Sequence, residues 1–176
     1  VSGGDLQAGD RSSVALLGAR FALDEKSQRY RFDHIFKGHN EESKYRSPVT
    51  EVGVGISEGD YLLAIDGRDL TADTNPYALL TDRGSQPVDL LVNSKPSTDG
   101  AKTVLIDPIS SESGLVYLEW VQANYDYVQE KTDGKVGYLH IPDMGSSGIY
   151  EFIKWYYPQI RKQGLVVDVR GNGGGN

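Results

Sequence analysis

A glycine-rich segment near the end of the sequence carries the clearest chemical signal. Residues 170–175 read Arg-Gly-Asn-Gly-Gly-Gly and directly follow the apolar run 165–169. Consecutive glycines let a backbone turn sharply and bring unhindered amide groups close to an anion or a developing oxyanion. The segment therefore predicts a turn after a buried strand. Its amides are either donors to negative charge or part of a turn that binds nothing, and the residues alone leave both interpretations open.

Two nucleotide-binding motifs are incomplete in this segment. A P-loop needs a lysine followed by serine or threonine after its glycines, whereas Asn176 occupies the first available place. The dinucleotide-binding fingerprint requires glycine or alanine at that same place. We therefore expect no cofactor.

The other polar residues do not assemble into a complete catalytic site. His34, His39 and His140 fall on three different elements without metal-ligand spacing, so we expect structural or solvent roles for them and no bound metal. Only His140 lies on a strand near the glycine-rich segment. Asp168 and Arg170 flank the predicted turn, and pairing within the scaffold is favoured over acid–base chemistry for them.

Composition limits the class of protein. The chain has 176 residues, of which 38% are hydrophobic, and a formal net charge of −7. This balance predicts one folded domain or two small ones, and it makes nucleic acid and anionic membrane surfaces poor partners. The absence of cysteine excludes disulfides and a cysteine nucleophile within these residues. Because the sequence starts without methionine and ends in the glycine-rich turn, we interpret it as a piece of a longer polypeptide.

Short apolar runs separated by turns predict a mainly β-structured first part. The expected strands lie near 14–17, 21–23, 30–34, 61–65, 88–92 and 103–106, with Leu63, Ile65, Leu90 and Val92 in the core. Asp73 or Thr74 is expected to cap a short helix that has Pro76 in its first turn.

The pattern changes after residues 107–108. Apolar residues at helical spacing predict a helix over 115–130, followed by a strand over 136–141. Ser146 or Ser147 is expected to cap the next helix, and 165–169 forms a second strand. A strand, helix and strand in this order predict two adjacent parallel strands.

Several segments together resemble one family. Residues 137–145 and 164–175 are similar to the opening of the catalytic domain of tricorn proteases, which are relatives of the C-terminal processing peptidases. Residues 59–67, Gly-Asp-Tyr-Leu-Leu-Ala-Ile-Asp-Gly, resemble the PDZ strand and turn that precede this catalytic core. The segment 115–130 resembles the region that joins the two.

The resemblance implies an α+β fold in two parts. Residues 11–107 would form a PDZ-like, partly open β-barrel with one or two helices, after a linker over residues 1–10. Residues 108–176 would form a β-α-β piece of a crotonase-like α/β catalytic domain.

The resemblance also implies a serine peptidase that acts on peptides. The backbone amide of Gly175 corresponds to an oxyanion-hole donor, with Gly174 as the second candidate. The family's nucleophilic serine and its histidine lie outside these residues, so we expect the isolated chain to be inactive while the parent protein hydrolyses peptides.

The PDZ-like part implies a peptide-binding groove. The loop that receives a terminal carboxylate is matched by Leu16, Leu17, Gly18 and Ala19, and the groove itself by Phe21, Tyr77 and Leu80. Positioning of domains is the alternative role for this part, and a non-catalytic peptide-binding scaffold is the alternative function for the chain.

The implied partners are a peptide substrate and the remaining domains of the parent, and a homo-oligomeric parent is compatible with the resemblance. The family favours a cytoplasmic location, with a periplasmic or exported one as the alternative.

Overall fold

The structure is a computed structural model, and it describes residues 13–175. The expected linker over 1–10 lies outside the described residues. The chain folds as two compact units, of which the first ends at Val116 and the second begins at Tyr117. Between residues 13 and 175, no helix has the length and apolar character needed to span a bilayer.

The first unit is built on an antiparallel sheet. Its strands and its short helix are β1 (Ala19–Asp24), β2 (Arg29–Ile35), β3 (Tyr61–Ile65), β4 (Arg68–Asp69), α1 (Pro76–Leu79), β5 (Val88–Asn93) and β6 (Lys102–Ile106), with 3-10 turns at Ser43–Tyr45 and Pro48–Thr50. The strand order is β1-β2-β3-β5-β6, and β4 pairs with β3. Because β1 and β6 lie at opposite ends of this order, they do not pair and the barrel stays partly open. This confirms the expected fold class.

The continuous buried run of β3 and the alternation along β5 place the core where the sequence predicts it. Leu63, Ile65, Leu90 and Val92 are each at most 1% exposed. The turn after β3 has positive φ at both Asp66 (48°) and Gly67 (72°), the conformation that joins two strands most tightly.

The β1–β2 pair contains a bulge. Arg20 lies opposite His34, but the next residue, Phe21, lies opposite Phe32, which leaves Asp33 as an extra residue on β2. Such an insertion bends a strand and increases its twist.

Two local expectations for the first unit are wrong. The strand expected over 14–17 is reduced to isolated bridges from Val14 and Leu16, since these two residues face different partner segments. The helix α1 is capped by Asn75, whose side-chain oxygen accepts from the Tyr77 amide at 2.9 Å. Neither Asp73 nor Thr74 caps it, because the helix starts at Pro76, one residue later than a Thr74 cap and two residues later than an Asp73 cap would require.

The second unit contains a parallel strand pair. Helix α2 (Ser113–Lys131) begins in the first unit and continues into the second, where it is followed by β7 (Val136–His140), α3 (Ser146–Tyr156), a 3-10 turn (Tyr157–Gln159) and β8 (Gly164–Asp168). β7 and β8 pair in parallel from Val136 opposite Gly164 to His140 opposite Asp168. This confirms the predicted parallel pairing and the helix between the two strands.

The start of α3 differs from the expectation. Its N-cap residue is Gly145, which has no side chain, so Ser146 and Ser147 are not the caps. Asp143 replaces them, because its Oδ1 accepts from the amides of Gly145 at 2.7 Å and Gly148 at 3.0 Å. A carboxylate at a helix N-terminus satisfies free amides and favours the helix dipole.

Candidate functional site

The glycine-rich turn is fixed to the segment that follows β7. The Gly173 amide donates to the carbonyl of Pro142 at 3.0 Å, and the Met144 amide donates to the carbonyl of Gly174 at 2.9 Å. The side-chain amide of Asn172 donates to the Ile141 carbonyl at 2.9 Å. Together these three bonds hold the turn in one position at the carboxyl ends of the two parallel strands.

Three of the glycines in this turn are required for physical reasons that differ. Gly171 and Gly174 have φ of 68° and 78°, a region that other residues rarely adopt. At Gly175 the constraint is space, because a Cβ there would lie 2.7 Å from Cβ and 2.8 Å from the carbonyl carbon of Met144.

The two candidate amides differ in what they contact. The Gly174 N–H donates to Oδ1 of Asn172 at 2.7 Å. Gly175 is exposed, and its N–H has no acceptor within the part of the chain that the structure describes. An exposed donor on a fixed backbone is the arrangement that can bind an oxyanion.

A buried carboxylate supports the turn from within the second unit. Asp168 accepts from the Tyr138 hydroxyl at 2.7 Å, from the Arg170 amide at 2.9 Å and from Arg170 Nη2 at 2.5 Å. The Arg170 guanidinium lowers the pKa of Asp168 well below its ordinary value, and burial together with Asp168 raises the pKa of Tyr138. The expected pairing of Asp168 with Arg170 is therefore confirmed.

His140 is buried beside this carboxylate and anchors the backbone of the turn. Its Nε2 lies 2.8 Å from the Arg170 carbonyl, and its Nδ1 lies 2.9 Å from the Tyr117 hydroxyl. Because a carbonyl can only accept, Nε2 carries a proton. The residue is 4% exposed, and with both ring nitrogens engaged it fills the structural role that the sequence favours.

The candidate peptide groove lies in the first unit, beside an open strand edge. Among residues 13–175, β1 is the first strand of the sheet, so one of its edges has no neighbouring strand within that range. The ring of Phe21 on this strand lies 5.7 Å from that of Tyr77 on α1 and 5.2 Å from that of Phe32. An extended peptide adds to such an edge through backbone hydrogen bonds.

The remaining groove candidates divide into buried and accessible residues. Leu17 and Ala19 are 1% exposed and Leu80 is fully buried in the core, so their side chains pack inward. Phe21, Tyr77 and Leu16 are only half-buried and can be reached from solvent.

Gly18 is held by a carboxylate that sequence reasoning missed. It has φ of 78°, and a Cβ there would lie 2.7 Å from the Ser47 hydroxyl, so the position requires glycine. Its N–H donates to Oε1 of the buried Glu112 at 2.9 Å. No local pattern predicts this contact, because 94 positions separate the two residues.

Comparisons with known proteins match two separate parts of the sequence. The profile of the tricorn protease PDZ domain matches residues 15–111, and that of peptidase family S41 matches residues 135–176. The fold and the sequence therefore define a PDZ-type unit followed by the opening of an S41 peptidase domain.

Individual relatives agree. A tricorn protease homolog of Saccharolobus solfataricus is 38% identical over 93% of this chain and 15% of its own length. Tricorn protease homolog 1 of Streptomyces coelicolor is 34% identical over 96% of this chain and 16% of its own. The crystal structure of the tricorn protease superposes with a TM-score of 0.79 and 32% identity over 93% of this chain and 15% of that one. The chain belongs to the tricorn protease family, and it spans about a sixth of the length of these relatives.

Proposed function

We propose that this chain is part of a serine-type peptidase that hydrolyses peptides, with its PDZ-like unit in residues 11–107 and its catalytic portion in residues 108–176. The observation that carries the proposal is the exposed Gly175 N–H on a turn fixed by the hydrogen bonds of 172–174. In acyl transfer, a positioned amide stabilises the oxygen of the attacked carbonyl as it gains negative charge.

Gly175 is a better candidate for this donor than Gly174. The Gly174 amide already donates to Asn172, and using it for a substrate would break that bond. The Met144 amide donates to the carbonyl of Gly174 at 2.9 Å, so the peptide group that carries the Gly175 N–H is tied to the segment that follows β7. A fixed donor acts on the transition state without reorganising during the reaction.

In the same proposal, the PDZ-like unit receives an extended peptide along β1. The open edge of β1 supplies backbone donors and acceptors, and Phe21 and Tyr77 supply an apolar surface beside it. Peptide substrate and the remaining domains of the parent are the proposed partners. We place the activity in the cytoplasm on family grounds, and fractionation of cells would separate this from export.

The test of the oxyanion donor uses two substitutions in the full-length parent. Gly175→Pro removes the N–H, whereas Gly175→Ala keeps it, and both add a Cβ that meets Met144. The alanine variant therefore controls for the steric effect. We expect turnover of the proline variant to fall about 10²–10³-fold below that of the alanine variant, as for the loss of one oxyanion-hole donor, with little change in KM.

Tryptophan fluorescence checks that both variants are folded. If folded G175P turns over peptide as fast as G175A, the turn is not the oxyanion site.

The isolated chain provides a second test. Purified residues 1–176 should show no turnover on a panel of peptides, since the proposal places the nucleophile elsewhere in the parent. Turnover that a serine-directed inhibitor abolishes would contradict this assignment.

A further inference from the structure

A buried carboxylate lies at one end of the open strand edge in the first unit. Glu112 Oε1 accepts from the Gly18 N–H at 2.9 Å, and its Oε2 is paired with the guanidinium of Arg20. The Glu112 side chain is 6% exposed and that of Arg20 is 44% exposed. Glu112 is thus enclosed by the loop that precedes β1, while the guanidinium of Arg20 reaches solvent.

Strand direction relates this carboxylate to a bound peptide. β1 runs from Ala19 to Asp24, so a peptide added antiparallel to it ends near Ala19. Its terminal carboxylate would then lie beside the Gly18 N–H. That donor is already taken by Glu112.

A second carboxylate at this end would have to compete with Glu112 for the Gly18 N–H and for Arg20. Nη1 of Arg20 donates to Oε2 of Glu112, and this bond raises the pKa of Arg20, so the two charges already neutralise each other. Two carboxylates at one site repel each other, and a group that loses its hydrogen bonds on binding lowers affinity.

We propose that Glu112 is a specificity-determining residue. Its side chain occupies the place of a peptide's terminal carboxylate and thereby lowers the affinity of the groove for peptides with a free C-terminus. The groove then selects peptides whose final carboxylate is neutralised or lies further along the chain. This inference rests on the proposed binding of peptides along β1, and it adds which peptides bind.

The test compares matched peptides on the full chain. Apolar decapeptides with an N-terminal fluorophore are made in pairs that end in a free acid or an amide, and their binding is followed by fluorescence anisotropy. The proteins are the wild type, E112A, E112Q and the control E58Q. Glu58 is a suitable control because its Oε1 also accepts from a backbone amide, that of Ile35 at 2.8 Å, yet its side chain is 55% exposed.

We expect the wild type and E58Q to bind the amide at least as tightly as the acid. E112A should prefer the acid by about 10- to 100-fold, the range for a hydrogen bond to a charged group. The preference of E112Q for the acid should lie between those of the wild type and E112A, because its amide oxygen still accepts from Gly18 but carries no charge.

Two results would overturn the inference: a wild type that prefers the acid tenfold or more, or a folded E112A with the wild-type ratio of acid to amide binding. The first result is measured on the wild type alone, so it tests the inference even if the variants do not fold. If no peptide of any pair binds any of the four proteins, the groove assignment itself fails, and the turnover test of Gly175 is unaffected.

Discussion

The two units differ in the kinds of side chain that they bury. In the first unit, fifteen buried apolar residues form one continuous cluster. Among described residues beyond 116, the buried apolar side chains are Leu118, Val121, Tyr138 and Leu139, and an equal number of buried polar residues joins them: His140, Glu151, Gln159 and Asp168. Within residues 117–175, buried polar side chains are therefore as numerous as buried apolar ones.

Gln159 illustrates how the polar interior works. Its side-chain amide donates to the Tyr138 carbonyl at 2.9 Å and accepts from the Tyr138 amide at 2.8 Å. It therefore satisfies both backbone groups of one β7 residue, as a neighbouring strand would. Such a network fixes geometry more strictly than apolar contacts do, but it depends on charge and on every partner being present. We expect the unit that carries the glycine-rich turn to be the more sensitive one to pH.

The largest effect should come from the apolar cluster. Leu90→Ala removes a fully buried side chain from β5, and we expect unfolding free energy to fall by about 2–5 kcal/mol. Leu105→Ala on the adjacent β6 is the control, because that side chain is 64% exposed and its loss should cost less than about 0.5 kcal/mol. Urea denaturation followed by circular dichroism measures both. Equal effects of the two substitutions would mean that the first unit does not depend on this cluster.

The next effect tests the polar network. Asp168→Asn removes the charge that Arg170 binds, while the amide oxygen can still accept from Tyr138. We expect a loss of about 1.5–3 kcal/mol in the second unit. Tryptophan fluorescence reports it, because both tryptophans, Trp120 and Trp155, lie there. The control is Asp133→Asn, whose side chain is 88% exposed and should give no measurable change.

A smaller effect should come from the start of α3. Alanine normally stabilises a helix relative to glycine, but a Cβ at Gly148 would lie 1.7 Å from the Asp143 carbonyl oxygen. Gly148→Ala should therefore destabilise by about 1–3 kcal/mol through overpacking. Gly173→Ala meets nothing within 4 Å and serves as the control in the same fluorescence assay. A stabilised G148A would show that the carbonyl moves away freely.

The smallest expected effect is a dependence of the unfolding free energy on acidic pH, which is not visible near neutral pH. The folded pKa of Asp168 lies below its ordinary value of 3.8, with the hydrogen bond from Arg170 as the main cause. The stability that this carboxylate contributes is present above the unfolded pKa and is lost as the pH falls below about 4. The stability difference between wild type and D168N should then shrink from pH 6 to pH 3. If the stability difference between wild type and D168N stays constant over this pH range, the effect of D168N is due to packing and not to charge.

The sequence predicts the strands well because their signals are local. The apolar runs 61–65 and 165–169 and the alternation over 88–92 each require only neighbouring residues, and each becomes a strand whose bounds agree to within one residue. The caps of both short helices are misplaced, since the chain uses Asn75 and Asp143 where nearby hydroxyls or carboxylates fit the pattern equally well.

The candidate sites follow the same rule. The glycines of the turn and the pairing of Asp168 with Arg170 are readable from adjacent residues. The Tyr117 contact to His140 and the Glu112 contact to Gly18 join residues 23 and 94 positions apart. No periodicity or motif encodes such separations, because they result from how the elements pack.

The bulge opposite Arg20 and Phe21 also bears on how the protein behaves at high concentration. Flat strand edges of two molecules can join into a continuous sheet, which is the first step of aggregation. The extra Asp33 increases the twist of this edge pair and adds a charge beside it. A single flexible peptide can follow a twisted edge, whereas a second rigid sheet cannot match it along its length. We therefore expect this bulge on β2, beside the groove strand β1, to disfavour self-association through the open edge.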